Sequence, residues 1–98
     1  MNKFFYYSDL YNIYKELLTE KESNICSLYY EENLSMSEIA ENLTISRSAV
    51  FNLLKAAETK LTKYETTLKI KEKTDQLKEI ISQINDPIIQ KKLETIIN

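Results

Sequence analysis

Residues 35–55, which read SMSEIAENLTISRSAVFNLLK, decide the fold of this 98-residue chain. Their apolar residues recur every three or four positions, as they do in an amphipathic helix. Ala40, Ile45 and Val50 stand five residues apart, at the three buried positions of a helix-turn-helix unit. Ser46 stands where the second helix of such a unit needs an N-cap. A unit of this kind most often presents its second helix to the major groove of DNA.

The boundaries of the two helices follow from capping residues. The first helix opens with a capping box, in which an N-cap serine precedes Glu38 by three residues. This helix ends near residue 42 or 43, and Thr44 then occupies a turn position that is commonly glycine. We expect the second helix to run from Ser46 to about Tyr64.

Two further helices are predicted before this unit. Apolar residues recur at helical spacing over 9–18, and Ser8 is the expected N-cap. A second capping box begins at Thr19 and starts a helix that ends near residue 31. Asn33 is then expected to adopt the left-handed conformation that usually falls to glycine at a helix end.

The C-terminal part is predicted to be a helical extension. A surface helix spans about 64–84, and the sequence leaves open whether it continues the second helix of the unit. Asp86 is an N-cap and Pro87 a first helical residue, so a last amphipathic helix begins there. We therefore predict a helix-turn-helix domain of three to four helices over 1–64 and an extension over 65–98.

The extension carries apolar faces on both of its helices. Leu77, Ile81 and Ile84 share one of them, and the last helix has a similar stripe that ends at Ile97. A chain of this size buries only about two-thirds of its unfolded surface. We therefore expect the extension to pack back on the domain or to pair two chains as a homodimer.

Composition restricts both the fold and the chemistry. The chain has no glycine, one proline, no histidine and one cysteine. Without Asn-Gly or Gly-X pairs, tight hairpins are disfavoured, so the fold is predicted to be all-α. A disulfide within the chain and a Cys/His zinc site are excluded. Cys26 lies in an apolar-periodic segment, so it is expected to be a buried hydrophobic residue.

No catalytic constellation is visible in the sequence. Histidine acid–base chemistry is absent, and no glycine-rich phosphate loop is present, so we expect no enzyme activity, no cofactor and no metal site. No run approaches the roughly 20 apolar residues of a membrane-spanning helix, and no signal peptide is apparent. The sequence therefore predicts a cytoplasmic protein without membrane insertion.

Charge is distributed unevenly, although the net charge is only −2. Residues 1–45 carry three lysines and eight acidic residues, whereas residues 46–98 carry ten basic and seven acidic residues. The basic part begins at the second helix of the unit. This polarity favours an anionic partner on that side.

The outward side of that helix is the candidate nucleic-acid interface, which consists of Ser46, Arg47, Ser48, Phe51, Asn52 and Lys55. Arg47 can donate hydrogen bonds to guanine or to a phosphate, and Asn52 can form a bidentate pair with adenine. The serines and free amides at the helix start suit a phosphate. Lys55, Lys60 and Lys63 are expected to follow the DNA backbone. The alternative is that Arg47 and the lysines are only a solvated face.

Four motifs together carry a family resemblance. They are LLTEK at 17–21, LYY at 28–30, LSMSEIAE at 34–41 and ISRSAV at 45–50, and the similarity continues to Leu68. The chain resembles, over about two-thirds of its length, the YlxM-like proteins of low-GC Gram-positive bacteria and mycoplasmas. Each motif alone is also typical of the region-4 helix-turn-helix of bacterial sigma factors.

The resemblance implies a small cytoplasmic helical protein with a sigma-region-4-like helix-turn-helix. Genes of the family lie beside those of the signal recognition particle GTPases, so components of that particle are the partners it implies. The chain departs from the family pattern at Ser48, at Phe51 and Asn52, and at Ala56, where the family tends to have Gln, Tyr-Asp and Arg.

Two functional hypotheses follow. In the first, the protein is a DNA-binding regulator that uses the outward residues of the second helix. In the second, the helix-turn-helix binds the signal recognition particle machinery without binding DNA, and Phe51 matters more than Arg47. An inert structural role is a third alternative.

Overall fold

A computed structural model describes residues 3–98 as α-helices joined by short connections, with no strand in that range. The predicted all-α class is therefore confirmed. Met1 and Asn2, the first residues of the predicted domain, lie outside the described part. The helices are α1 (Lys3–Tyr14), α2 (Glu20–Cys26), α3 (Met36–Leu43), α4 (Arg47–Leu68), α5 (Ile70–Ser82) and α6 (Pro87–Ile97). A 3-10 turn (Lys15–Leu17) follows α1, and a π-helical segment (Ser27–Glu31) follows α2.

Helix α1 differs from the prediction at its start. Ser8 lies inside the helix and does not cap it, so that assignment was wrong. Upstream aromatic residues pack against the core and thereby extend the helix. The ring of Phe4 lies 5.5 Å from that of Tyr29 and 5.3 Å from that of Tyr30. Such tertiary contacts outweigh a local capping signal.

Helices α3 and α4 form the predicted helix-turn-helix. The capping box of α3 is present, since the amide of Glu38 donates to Ser35 Oγ at 3.1 Å and the amide of Ser35 donates to the Glu38 carboxylate at 2.9 Å. Ser46 caps α4 by accepting from the amide of Ala49 at 3.0 Å. All of these caps agree with the sequence prediction.

The turn between these helices is a Schellman motif without glycine. Thr44 has a left-handed backbone, with φ 57° and ψ 46°. The amide of Ile45 donates to the carbonyl of Ala40 at 3.0 Å, and the amide of Thr44 donates to the carbonyl of Glu41 at 3.3 Å. Ile45 and Ala40 both pack against the core, which is the apolar contact that accompanies this motif.

The main core lies between α4 and the three helices before it. One stripe of α4 is buried throughout, at Val50, Leu54, Ala57 and Leu61. Cys26 is fully buried, as predicted. The other buried members of this core are Leu10, Tyr11, Tyr14, Ile25, Leu28, Tyr30 and Ile39. Because one stripe of α4 is buried in the core, the opposite side of its first turns faces solvent.

Helix α4 ends at Leu68, about four residues later than predicted, and α5 is a separate helix. The break is at Lys69, whose φ is 55°. The carboxylate of Glu65 accepts hydrogen bonds from the amides of Lys71 and Glu72, both at 3.0 Å. The hydroxyl of Tyr14 donates to the same carboxylate at 2.6 Å. We call this set of contacts, made by Tyr14 and Glu65 around Lys69, the α4–α5 joint.

Helices α5 and α6 form an antiparallel hairpin. Asp86 caps α6 by accepting from the amides of Ile88 and Ile89 at 2.9 and 3.4 Å, and Pro87 takes the first helical position as predicted. The described part measures 53 × 25 × 25 Å. Its radius of gyration of 16.5 Å exceeds the roughly 13 Å of a compact domain of this size. The molecule is therefore elongated.

Candidate nucleic-acid interface

The structure brings the six predicted interface residues together on one exposed surface. They lie at the cap and in the first nine residues of α4, and each of them is exposed. The backbone amides of Arg47 and Ser48 belong to the first turn, so they have no acceptor within the helix. The positive end of the helix dipole therefore coincides with this surface.

An open groove borders this surface. It has a volume of about 530 Å³ and lies between the start of α3 and the first turns of α4. Arg47, Ser48, Phe51 and Asn52 line one wall, and Met36 lines the other. Sequence reasoning did not single out Met36, although its place directly after the N-cap of α3 was a usable signal.

The side chain of Phe51 is unusually exposed for an aromatic residue, at 48%. The ammonium of Lys55 lies 6.0 Å from the centre of its ring. At that distance the cation is attracted to the ring face. The ring therefore orients Lys55 without neutralising its charge.

The cations of α4 divide into free and paired ones. Within residues 3–98, Arg47, Lys55 and Lys63 form no ion pair. Lys60 differs from the prediction, because its ammonium lies 2.7 Å from the carboxylate of Glu22. That hydrogen bond raises the pKa of Lys60. Lys60 therefore ties α4 to α2, and Glu22 offsets part of its charge.

Acidic residues flank the interface on α3. Glu38 and Glu41 are both exposed. Hydrogen bonds from Ser35 hold the pKa of Glu38 below its usual range, so Glu38 is charged at neutral pH. The interface thus offers specific donors and few positive charges. Its chemistry fits hydrogen bonding to base edges and a few phosphates better than broad electrostatic attraction.

Within residues 3–98, no group of three or more acidic, histidine or cysteine side chains is placed to hold a metal ion. In the same range, no helix is both long enough and apolar enough to cross a membrane.

Two capped helices, a glycine-free Schellman turn and an exposed polar start of the second helix define a helix-turn-helix protein. Comparison with known families specifies the class further. The whole chain, residues 1–98, matches the UPF0122 family, described as "Putative helix-turn-helix protein, YlxM / p13 like", and the chain belongs to that family.

Relatives of this family are similar over most of their length. A UPF0122 protein of Ureaplasma parvum is 42% identical over 95 residues, which cover 97% of this chain and 96% of the relative. One from Clostridium perfringens is 37% identical over an alignment that covers 100% of this chain and 99% of the relative. One from Mycoplasma mycoides is 41% identical over 85 residues, which cover 87% of this chain and 75% of the relative.

Proposed function

We propose that this protein is a non-enzymatic DNA-binding regulator that reads duplex DNA with the first turns of α4. The observation that carries the proposal is the shared exposed surface of Arg47, Asn52 and Lys55, in which the two cations have no ion-pair partner among residues 3–98. We further propose that the regulator acts in the cytoplasm and serves the signal recognition particle pathway, as the YlxM-like resemblance implies.

The geometry supports readout of base edges. The start of α4 projects Arg47 and Asn52 from one side, and these side chains suit guanine and adenine respectively. The hydroxyls of Ser46 and Ser48 and the free first-turn amides suit a phosphate beside the groove. Each good bidentate base contact contributes about 1–3 kcal/mol of discrimination.

The charge count fixes the expected salt dependence. Arg47, Lys55 and Lys63 are the three free cations on the exposed part of α4 within the described residues. Each phosphate that is neutralised contributes about −0.9 to the slope of log K against log salt. We therefore expect a shallow slope of about −2 to −3.

A titration with duplex DNA tests this proposal. Fluorescence anisotropy at two salt concentrations should show salt-sensitive binding to random-sequence duplex. Arg47→Ala should weaken binding and reduce the slope by about one. Lys91→Ala removes an exposed lysine from α6 and is the matched control, which should leave both quantities unchanged. Equal effects of the two variants, or no binding at low salt, would contradict DNA binding by α4.

The exposure of Phe51 favours a second function. An aromatic ring that is half exposed beside a groove is a typical anchor for a protein partner. We propose as the alternative that this surface binds components of the signal recognition particle without binding DNA. In that case Phe51→Ala should abolish partner binding, whereas Arg47→Ala should change it less than threefold.

The alternative is tested with the purified particle. Surface-immobilised protein should retain the RNA–protein particle, and Phe51→Ala should release it. Leu17→Ala is the control, because Leu17 is similarly exposed but lies after α1. Retention that persists in Phe51→Ala and is lost in Arg47→Ala would favour a nucleic-acid contact.

A further inference from the structure

The α5–α6 hairpin exposes a set of large apolar side chains. Ile80 is 58% and Ile96 is 78% exposed. Leu77 and Ile89 are also exposed, and Leu93 is only half-buried. Contiguous exposed apolar surface of this kind usually marks an interaction site.

These side chains lie on one side of the hairpin. Ile81 is only 4% exposed, and its carbonyl accepts a hydrogen bond from the Gln90 side chain at 3.0 Å. These two residues therefore mark the line along which α5 contacts α6. Lys78, Ser82 and Glu94 line a groove on one side of that line. At 100° per residue, the apolar side chains lie on the opposite side. The residues of this apolar face are Leu77, Ile80, Ile84, Ile89, Leu93 and Ile96.

We propose that the apolar face binds the same face of a second copy of this chain. The two hairpins then form a four-helix bundle around a two-fold axis parallel to the helices. A C2 interface requires a self-complementary surface, because the same patch is used twice. The charges along the edges of the hairpin provide that complementarity.

The two outer edges of the hairpin carry opposite charge. By the same helical spacing, Glu72 and Glu79 lie on the outer edge of α5, and Lys92 lies on the outer edge of α6. With the axis parallel to the helices, α5 packs on the partner's α6, so Glu79 faces the partner's Lys92. With the axis perpendicular to the helices, α5 packs on the partner's α5, and Glu79 approaches the partner's Glu72. Electrostatic attraction therefore favours the dimer whose two-fold axis is parallel to the helices.

The levels of these charges along the helices agree with that axis. At 1.5 Å per residue, Glu79 lies about 14 Å from the start of α5 and Lys92 about 8 Å from the start of α6. Because the helices are antiparallel, the two residues come to within about one helical turn of the same level. Lys73 also falls on the apolar face, at the end of α5 nearest the domain, where its ammonium can reach solvent.

The size of the face sets the expected affinity. Thirteen residues of α5 span about 20 Å, and two helices side by side are about 20 Å wide. The face therefore covers roughly 400 Å² per chain, or about 800 Å² in total, which is below the size of stable interfaces, so we expect weak self-association with a dissociation constant on the order of 10 µM. In this dimer both helix-turn-helix domains lie at the same end of the bundle.

Sedimentation equilibrium of the full chain at about 100 µM tests the surface. Wild type, with roughly four-fifths of its chains dimeric at this concentration, should have a weight-average mass close to that of a dimer. Ile80→Asp and Ile96→Glu should each be monomeric with unchanged helical circular dichroism, because both side chains are already exposed. Leu17→Glu changes a residue that is 53% exposed on the domain and should remain dimeric. A monomeric wild type, or a dimer that survives both hairpin substitutions, would overturn the proposal.

A charge exchange tests the axis. Glu79→Lys and Lys92→Glu should each weaken self-association about tenfold, since two exposed pairs become repulsive. An equimolar mixture of the two variants should regain wild-type affinity as a heterodimer, because both pairs are then attractive again. If the mixture stays as weak as its components, the α5-on-α6 arrangement is wrong.

Discussion

Replacing Thr44 with glycine should stabilise the protein. Thr44 occupies the left-handed region, with φ 57° and ψ 46°, in the turn of the helix-turn-helix. A β-branched residue is seldom found there, and the conformation costs roughly 1–2 kcal/mol for an L-residue. Glycine removes that cost but increases the entropy of the unfolded chain by about 0.5–1 kcal/mol. The expected net gain is about 1 kcal/mol, or about 4–8 °C in Tm.

Two further left-handed positions provide an internal comparison. The described part has positive φ at Asn33, Thr44 and Lys69. Asparagine tolerates this region, whereas lysine lacks both the β-branch of threonine and the local hydrogen bonding of asparagine. The stabilisation by glycine should therefore decrease in the order Thr44, Lys69, Asn33, and Asn33→Gly should be close to neutral.

Thermal and urea unfolding, followed by circular dichroism, measure these effects. Thr59→Gly is the matched control, because Thr59 is exposed in the interior of α4 and glycine there should destabilise the helix by up to about 0.5 kcal/mol. The side chain of Thr44 is exposed, so its removal forfeits little packing. A Thr44→Gly variant that is no more stable than wild type would refute the reasoning that the turn is strained.

Three other outcomes are expected. Burial raises the pKa of Glu65, but hydrogen bonds from Tyr14 and from two amides lower it by more, so the pKa is lower in the folded protein than in the unfolded chain. The stability that the ionised carboxylate contributes is therefore complete above about pH 4.5, the ordinary pKa, and is lost as the pH falls through the folded pKa. Glu65→Gln should cost about 1–3 kcal/mol in urea unfolding at pH 7 and less at pH 3; an equal loss at both would contradict this. Cys26 is fully buried and burial raises its pKa to about 12, so iodoacetamide should modify the native protein at least about 1,000-fold more slowly than the urea-unfolded chain, whereas comparable rates would mean that the thiol is accessible. Asp86→Ala should cost about 1 kcal/mol and speed amide hydrogen exchange in α6 only; faster exchange in α3 as well would show that the hairpin is not an independent unit.

The sequence predicted those features whose causes are local. The caps at Thr19, Ser46 and Asp86 depend on residues two or three positions away, and all three agree with the structure. Helical periodicity likewise predicted the exposed side of α4, because a stripe that is buried determines what lies opposite. Asn33 adopts the expected left-handed backbone for the same local reason.

Features that depend on distant residues were not predictable in this way. The start of α1 depends on Phe4 packing against residues about 25 positions away. The pairing of Lys60 with Glu22 joins two helices that the sequence separates. The break at Lys69 could not be predicted from the local sequence, because no glycine or proline stands at this position. In each case the outcome depends on a tertiary contact whose partners lie far apart in the sequence or give no local signal.

The α4–α5 joint shows how such a contact fixes the architecture. A left-handed Lys69 is unfavourable by itself, but it brings the amides of Lys71 and Glu72 to the Glu65 carboxylate, which also accepts a hydrogen bond from Tyr14. Tyr14, which donates one of them, is 1% exposed, and burial together with Glu65 raises its pKa to about 12, so its hydroxyl keeps its proton. Lys71 adds ion pairs to Asp9 of α1 at 3.4 Å and to Asp75 at 2.7 Å. Since a buried core residue determines where α4 ends, the direction of the hairpin is set by the domain. The spacing of two α4 helices in the proposed dimer is therefore determined at this joint as much as at the apolar face.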